Sequence, residues 1–416
     1  MKKILLSCAI FTTPFTAQAA GFALIEQSAS GMGNAFAGAA AVAEDASTIF
    51  FNPAGMTYIQ GTQIVGAMHL IKPSAEFNDD GLSTTGFGKP KNGNGGDAGD
   101  LAFVPNFYFK TDLNDRVKLG IGVSAPFGLK TEYDSHWIGR FQAIKSEVKT
   151  ININPAVAFK VNEQLSVGAG VSAMWTQATL TNAVNFGAAG EGSTKVKGDD
   201  WGYGFNLGTI YQITPDTRLG LAYRSKVKQH LTGNVKFSRP ALVPAAAAPD
   251  GGVTADVTLP ESFSVSAFSR LNDRWDLMGD VTWTRWSRFQ ALAVTRKNGT
   301  PLGAPTIENW DNTLRYSIGA SYHYSDTIVL RAGLAYDEEA ISDEYRTARI
   351  PGNDRKWLSL GAGWQVTPNS KLDIGYAHLF ISDANINDNK GLASGRLSGS
   401  FDGNVNILSA QYTHTF

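Results

Sequence analysis

Beyond about residue 60 the chain alternates between apolar and polar or small positions. Ile151, Ile153, Pro155, Val157, Phe159 and Val161 share one parity; Thr150, Asn152, Asn154, Ala156, Ala158 and Lys160 share the other. Trp201, Tyr203, Phe205, Leu207 and Tyr211 repeat this against Gly202, Gly204, Asn206, Gly208 and Gln212. So do Leu314, Tyr316, Ile318, Ala320, Tyr322 and Tyr324 against Arg315, Ser317, Gly319, Ser321 and His323. Successive side chains of a strand point to opposite faces, so each segment predicts a strand with one apolar face and one polar or small face.

Fourteen such segments start near residues 62, 101, 116, 147, 164, 200, 216, 255, 274, 313, 327, 355, 371 and 403. Many exceed the roughly 5–6 residues usual for a soluble sandwich and suit a tilted membrane strand. Aromatic residues gather toward segment ends (Trp275 and Trp283, Trp357 and Trp364, Tyr322 and Tyr324), where a membrane barrel carries its interfacial girdles. Connections alternate in length. Short ones such as Asn114-Asp115, Asn162-Glu163 and Asn272-Asp273 are rich in turn formers. Long ones cover roughly 78–100, 126–146, 183–199, 239–254, 296–312, 338–354 and 384–402. The pattern predicts an all-β fold: a 14-stranded antiparallel transmembrane β-barrel, closed so that no strand edge remains in lipid.

Residues 20–59 break the alternation. Ala-rich stretches interrupted by Gly, ending in Asn52-Pro53, predict short helices and tight turns. About 40 such residues ahead of a barrel suggest an N-terminal, partly helical hatch plugging the lumen. The first 19 residues read as a signal peptide: Lys2 and Lys3, a mostly apolar Ile4–Phe11, and Ala17-Gln18-Ala19 as the cleavage site. The expected organisation is 1–19 signal peptide, 20–59 hatch and 60–416 barrel, in the outer membrane of a Gram-negative bacterium.

Composition narrows the function classes. The 416 residues carry a formal charge of −1, which removes the case for a nucleic-acid binder. Mean hydropathy is −0.14, and past the N-terminus no apolar run approaches the roughly 18–20 residues of a membrane helix. Cys8, the sole cysteine, lies in the signal, so the mature chain offers no disulfide, thiolate metal site or cysteine nucleophile. The six histidines are scattered, and neither metal nor cofactor is expected. Gly168-Ala169-Gly170-Val171-Ser172-Ala173 fits a dinucleotide-binding expression but lies within a strand with no helix following. Gly93–Asp100 reads as a polar loop rather than a calcium site.

Several motifs resemble the FadL family of outer-membrane channels for hydrophobic compounds. The hatch carries Gly21-Phe22 with Leu24 and Glu26-Gln27, then Ser30-Gly31-Met32-Gly33, Asp45-Ala46-Ser47-Thr48 and Asn52-Pro53-Ala54-Gly55-Met56. Phe103-Val104-Pro105-Asn106, Ser124–Leu129, Tyr223-Arg224-Ser225, Leu259-Pro260-Glu261-Ser262, Trp283-Thr284-Arg285-Trp286, Asp354–Ser359 and Gly375–Phe380 follow in order. The resemblance implies a monomeric barrel with a hydrophobic internal pocket and a break in the third strand. Cargo would be captured outside, bound inside and released sideways into the outer leaflet, without an energy source. An apolar solute gains about 0.8 kcal/mol per buried CH₂, which favours a dry route past the lipopolysaccharide headgroups. The terminal Phe416 on an alternating strand looks like the signal read by the barrel-assembly machinery. Expected partners are therefore hydrophobic small molecules, outer-membrane lipid and lipopolysaccharide, and that machinery.

Residue roles follow from the same resemblance. Gly120, Gly122 and Pro126 are candidates for the lateral opening; the alternative is that the glycines make room for the plug. Asn52, Pro53 and Ala54 are expected beside the third strand, or simply as a turn into the first. Phe22, Leu24, Phe36, Phe50 and Phe51 are pocket or plug-packing candidates. By strand parity, Arg218, Arg224, Lys226 and Lys228 are expected to face the lumen or lie near an interface; they would hold a carboxylate or pair with Asp280, Asp337, Glu44 or Asp45. Leu242 and Val243, in the apolar loop Pro240–Pro249, are candidates for extracellular capture. Met174–Leu180 lacks Arg and Lys where fatty-acid members are expected to carry a headgroup partner, which leaves uncharged hydrocarbons open as cargo. A lipase-type outer-membrane enzyme is the reading from another class, though no motif marks a nucleophile. An open porin is disfavoured by the hatch, and adhesion or phage binding through the long loops stays open as a secondary reading.

Overall fold

The computed structural model describes residues 21–416; the signal peptide, its cleavage site and Cys8 lie outside the described residues. Fourteen strands form the wall. They are β1 (Gln63–Asp79), β2 (Ala102–Asp112), β3 (Val117–Ser124 and Gly128–Glu132), β4 (Lys145–Lys160) and β5 (Leu165–Asn185). Next come β6 (Glu191–Thr214), β7 (Thr217–Arg224 and Val227–Ser238), β8 (Gly251–Leu259 and Ser262–Asn272) and β9 (Trp275–Thr284). The last are β10 (Thr313–His323), β11 (Ile328–Asp337), β12 (Arg355–Thr367), β13 (Ser370–Ile381 and Ala384–Asn389) and β14 (Arg396–Thr415).

Each strand pairs antiparallel with its sequence neighbours, and β1 closes the barrel on β14 from Gln63↔Thr415 to Asp79↔Gly399. The apolar parity faces outward: Tyr203, Leu207, Ile318 and Ile374 are exposed, as a lipid-facing belt requires. Trp275, Trp364 and Tyr324 are exposed near strand ends, but Trp357 is buried and faces the lumen. It shares the parity of Ser359, not that of the outward Leu358 and Leu360, so it belongs to no girdle.

The short turns share one device. The Asn114 carboxamide oxygen accepts from the backbone N–H of Arg116 and Val117, both at 2.9 Å. Asn162 and Asn272 repeat it at the β4–β5 and β8–β9 turns, and the Thr214 and Ser325 hydroxyls accept in the same way at the β6–β7 and β10–β11 turns. Most of the predicted loop 183–199 is instead strand, with β5 and β6 paired up to Asn185↔Glu191. There the hairpin rises above the lipid belt: Lys195, Lys197 and Asp199 face outward and Gly192, Thr194, Val196 and Gly198 inward, so the apolar-outside pattern of the wall is lost.

Inside the barrel, residues 21–59 form four short coils: α1 (Ala29–Met32), α2 (Ala39–Val42), α3 (Thr48–Phe51) and a 3₁₀ turn at Pro53–Tyr58. None is long enough to be stable alone; the wall holds them. A Cβ on Gly208 would lie 1.8 Å from Asn52 Oδ1, one on Gly220 2.0 Å from the Ala40 carbonyl oxygen, and one on Gly168 2.4 Å from the Ala54 nitrogen. Lumen glycines thus form a socket shaped to the hatch backbone. Charge fixes the far side: Arg331 donates to Asp373 (2.8 Å) and to hatch Glu44 (2.5 Å), and Lys371 pairs with Glu44. Arg331 and Asp373 are almost fully buried.

Removing one partner of a buried ion pair costs about 3–5 kcal/mol. Arg331→Met leaves Asp373 with Lys371 alone (3.3 Å) and weakens the Glu44 tie. The variant should lose the compact, heat-modifiable gel mobility at a lower temperature than wild type, and its hatch should be cut faster by protease.

Candidate functional site: a plugged lumen pocket beside a gap in the wall

The ladder between β2 and β3 runs only from Asp112↔Lys118 to Phe107↔Val123. Beyond it, Ala125-Pro126-Phe127 leaves the strand and turns inward. Proline cannot donate to a ladder, and the kink pairs with the start of the hatch instead. Leu24 N–H donates to the Pro126 carbonyl (2.8 Å), and Gly128 N–H donates to the Phe22 carbonyl (3.0 Å). Thr150 on β4 holds Phe127 from the other side: its hydroxyl donates to the Phe127 carbonyl (2.6 Å) and accepts from the Phe127 N–H (3.1 Å). Ala102–Asn106 of β2 therefore face a gap. The Gly99↔Thr131 bridge and the Glu132 N–H bond to the Ala98 carbonyl (2.9 Å) close it above.

The position of the gap corrects one expectation. Gly120 and Gly122 are paired on both sides, with Lys110 and Ala156 and with Tyr108 and Asn154. A Cβ on Gly120 would meet Ile49 and Met56 of the hatch at 2.6 Å. These glycines belong to the socket, and of the three candidates only Pro126 lies in the break. A second expectation also moves. Asn52 is fully buried, and its carboxamide donates to the carbonyls of Ala40 (2.7 Å), Thr209 (3.1 Å) and Leu221 (3.3 Å) and accepts from Ala54 N–H (3.0 Å). It pins α2 to β6 and β7, not to β3; Pro53 starts the 3₁₀ turn, and Ala54 packs on β5 at Gly168.

A cavity of about 780 Å³ opens toward the gap. Its β12–β3 side is largely apolar, with Trp357, Leu379, Val405, Ile71, Val104 and Pro126. Its β7–β11 side is polar, with Arg224, Ser264, Asp280, Thr282, Arg315 and Asp337. The hatch supplies Phe22, Leu24, Phe50 and Phe51. Phe36 is not among the lining residues; it is buried against Phe51, ring centroids 5.7 Å apart.

The basic candidates separate. Arg218 is consumed by the hatch: it donates to the carbonyls of Ala41 (2.6 Å) and Val42 and lies over the rings of Tyr58 and Phe268. Arg224 lines the cavity, donates to the Phe50 carbonyl (2.6 Å) and keeps Nη1 buried without a protein partner. Lys226 and Lys228 point outward, which leaves the interface alternative and not the lumen one. Arg224 and Val227 both face inward although three residues apart, so a one-residue shift at Ser225–Lys226 reverses the parity above it.

Arg315 was legible only as a polar-face residue of the tenth segment. It reaches the Ala35 carbonyl (2.7 Å) and leaves Nε and Nη1 buried and unpartnered at the cavity. Arg355, inside a family-like motif, reaches the Gly21 carbonyl (3.0 Å). Leu242 and Val243 border neither this cavity nor the smaller one above it; Leu242 is 85% exposed.

Phe22 separates the two cavities. Its ring meets Trp286 (5.0 Å), Trp310 (5.8 Å), Phe127 (6.0 Å) and Phe289 (6.2 Å), mostly edge to face. The upper cavity, about 90 Å³, is lined by Leu231, Val253, Phe289, Glu308 and Arg349. A Ser409–His69 contact of 2.6 Å lies in the lumen wall, but both residues are buried and neither lines a described cavity. Among the described residues no three His, Cys, Asp or Glu side chains gather as a metal site.

Residues 10–416 match the sequence family described as "Outer membrane protein transport protein (OMPP1/FadL/TodX)". The chain is 34% identical to outer membrane protein P1 of Haemophilus influenzae, over 91% of this chain and 90% of that protein. It is 28% identical to the long-chain fatty acid transport protein of Escherichia coli K12, over 93% of each. Among solved structures, a FadL homologue of Pseudomonas aeruginosa superposes with a TM-score of 0.89 at 27% identity, covering 95% of this chain and all of the other. The toluene transporter TodX of Pseudomonas putida shares the fold at a TM-score of 0.73 and 18% identity, covering 96% of this chain and all of that one.

The 286–312 loop, which lends Phe289, Leu292, Val294 and Glu308 to the upper cavity, should respond to pH. Burial pushes the Glu308 carboxyl up to about 7 from 4.5, although Trp310 Nε1–H donates to it (3.1 Å). The folded state then holds a proton that the unfolded chain releases, so this contribution is complete below about 4.5 and is lost as pH rises through about 7. Trp310 fluorescence and protease resistance of the 286–312 loop should show it loosening across that interval. Glu308→Gln should flatten the profile.

Proposed function

The chain belongs to the FadL/TodX family of outer-membrane transporters for hydrophobic compounds, and from that membership we propose that its cargo is long-chain fatty acid, bound in the large cavity and released sideways through the gap between β2 and β3. The observation that carries this reading is the two-sided cavity. Its apolar side runs to the gap, and its polar side presents guanidinium nitrogens of Arg224 and Arg315 without protein partners. An amphiphile fits with its carboxylate on the arginines and its tail toward the gap. About 780 Å³ lies within the roughly 300–1,000 Å³ typical of ligand sites.

The plug supports a sideways exit over an axial one. It is tied to the wall by Asn52, Arg218, Glu44 and Ala29, whose N–H donates to Gln411 (2.9 Å). Moving it breaks many buried hydrogen bonds, each expensive to leave unmade. The sideways path needs only displacement of ligand past Ala102, Val104, Ala125 and Pro126. The uncharged-hydrocarbon reading retains one favouring observation: Asp280 and Asp337 share the polar side with Arg315 and offset its charge.

Two measurements test this. Filling the gap with Ala102→Trp and Ala125→Trp should lower oleate uptake by cells at least tenfold while purified protein still binds oleate; unchanged uptake rejects the sideways route. Replacing Arg224 and Arg315 by Gln removes charge-assisted bonds of about 1.5–3 kcal/mol each, so oleate affinity should fall at least tenfold and toluene affinity should stay. Equal effects on both ligands would favour the hydrocarbon reading.

A further inference from the structure

The outer face of the barrel is electrostatically lopsided. Around the gap each outward lysine has a carboxylate of its own: Lys72 with Asp97 (3.6 Å), Lys130 with Asp100, Lys145 with Glu132 (2.9 Å), and Lys149 with Glu147 (3.1 Å). That flank is close to neutral. On β6 to β9 the pattern differs. Lys226 and Lys228 are turned outward by the register shift at Ser225–Lys226, and among the described residues neither has a carboxylate within ion-pair distance.

The shift is matched in the neighbouring strand. Leu259 and Ser262 of β8, three residues apart, both face inward, and they pair with Val227 and Arg224. Two adjacent strands therefore slip at one level. Just below it the outward residues are Leu221, Tyr223, Phe263 and Val265, the top of the apolar belt. At the slip itself Glu261 is nearly buried and gathers two arginines from the end of β9: Arg288 (2.7 Å) and Arg285 (3.2 Å), both partly exposed. One carboxylate cannot neutralise two guanidinium groups and two ammonium groups.

Higher on the same face, Lys195 and Lys236 stand directly opposite each other across β6 and β7. Like charges so placed repel, and a bound anion between them relieves the repulsion. Asp199, Asp200, whose carboxylate accepts from the His230 backbone N–H (2.6 Å), and the His230–Asp256 pair (2.6 Å) offset part of this charge, but with Lys197 beside Lys195 the stripe stays positive overall.

We propose that this face, centred on Lys226, Lys228, Arg285 and Arg288, is a docking site for the phosphorylated sugar headgroup of the outer-leaflet glycolipid, lipid A. The cations sit immediately above an aromatic and aliphatic belt, the arrangement that meets a headgroup phosphate while acyl chains lie on the apolar surface below. Arginines held by Glu261 are pre-oriented, and the lysines reach as mobile point charges. The inference rests on the outer-membrane location of the family and not on the cargo proposed above. It also gives the lopsidedness a consequence: glycolipid is held on β6–β9, and the flank through which cargo would leave carries no net attraction for phosphate.

The test uses the full mature protein in nanodiscs, with fluorescent bisphosphoryl lipid A and its dephosphorylated form as probes. Lys226→Gln with Lys228→Gln leaves the Glu261–arginine cluster intact. It should weaken bisphosphoryl lipid A binding about tenfold or more, at roughly 1 kcal/mol per basic residue, and leave the dephosphorylated probe unchanged. Adding Arg285→Gln should weaken it further. Lys160→Gln, at the opposite rim, should have no effect. Heat-modifiable mobility and oleate binding confirm that each variant is folded; should the double variant fail there, Lys226→Gln alone is read. Unchanged binding of bisphosphoryl lipid A, or equal loss for both probes, overturns the proposal without touching the uptake reading.

Discussion

A strand in lipid has no water to satisfy its backbone, so every amide not paired across the sheet must find a partner elsewhere, at a cost of several kcal/mol when it does not. That constraint organises the whole molecule. Closing β1 on β14 removes the edges that an open sheet would carry. It also makes the interruption between β2 and β3 a problem needing its own solution. The hatch supplies it: the backbone of Phe22 and Leu24 pairs with the Pro126–Gly128 kink, and Thr150 takes both polar groups of Phe127. The start of the hatch is in this sense a substitute strand, placed on the inner side so that the outer side of the gap is left open. Plug and gap form one device, since removing the hatch would leave the kink unsatisfied.

The rest of the hatch depends on the wall. Its coils are too short to persist alone, and Ala35, Phe36 and Ala43 adopt positive φ angles that non-glycine residues disfavour. Such a path survives where surrounding contacts over-determine it. Glycines at 168, 208 and 220 let wall and plug backbones approach, while Asn52 and Arg218 bond to plug carbonyls that no helix satisfies. The same residues that hold the plug leave few cationic groups free for a ligand. Arg218 is spent on structure, and Arg224 and Arg315 are spent in part, each keeping one face toward the cavity.

Strand number, antiparallel order, the inward position of the plug and the short-turn chemistry were legible because two-residue alternation and turn residues are local signals. Alternation failed where its physical cause disappears. Above the lipid belt the outward side of the 183–199 hairpin is polar and its inward side small or mixed, so the strands there read as loop. It also failed at Ser225–Lys226, where a one-residue slip turns Lys226 and Lys228 from the lumen face to the outside. Gly120 and Gly122 illustrate a different ambiguity. A small residue on a lumen face reads alike whether a strand breaks there or a neighbour presses close, and only Ile49 and Met56 of the hatch distinguish the two. The ligand-facing role of Arg315 was hidden for a related reason: its parity announced the lumen, but which lumen residues keep unpaired polar atoms depends on the packing of the hatch.

The slips in β7 and β8 show how one backbone irregularity can serve two surfaces at once. Below them Arg224 and Ser262 face the large cavity; above them Val227 and Leu259 close the space around Phe22 with apolar surface. A strand with unbroken parity would carry Lys226 and Lys228 into that apolar upper space, where an unpaired ammonium is strongly disfavoured. The extra residue in each strand turns the charges outward and keeps the region around Phe22 dry. An apolar vestibule above, a divider of edge-to-face rings, and a pocket with one polar wall below then follow in order along the barrel axis. The polarity of the path is set less by which residues the strands contain than by where their register slips.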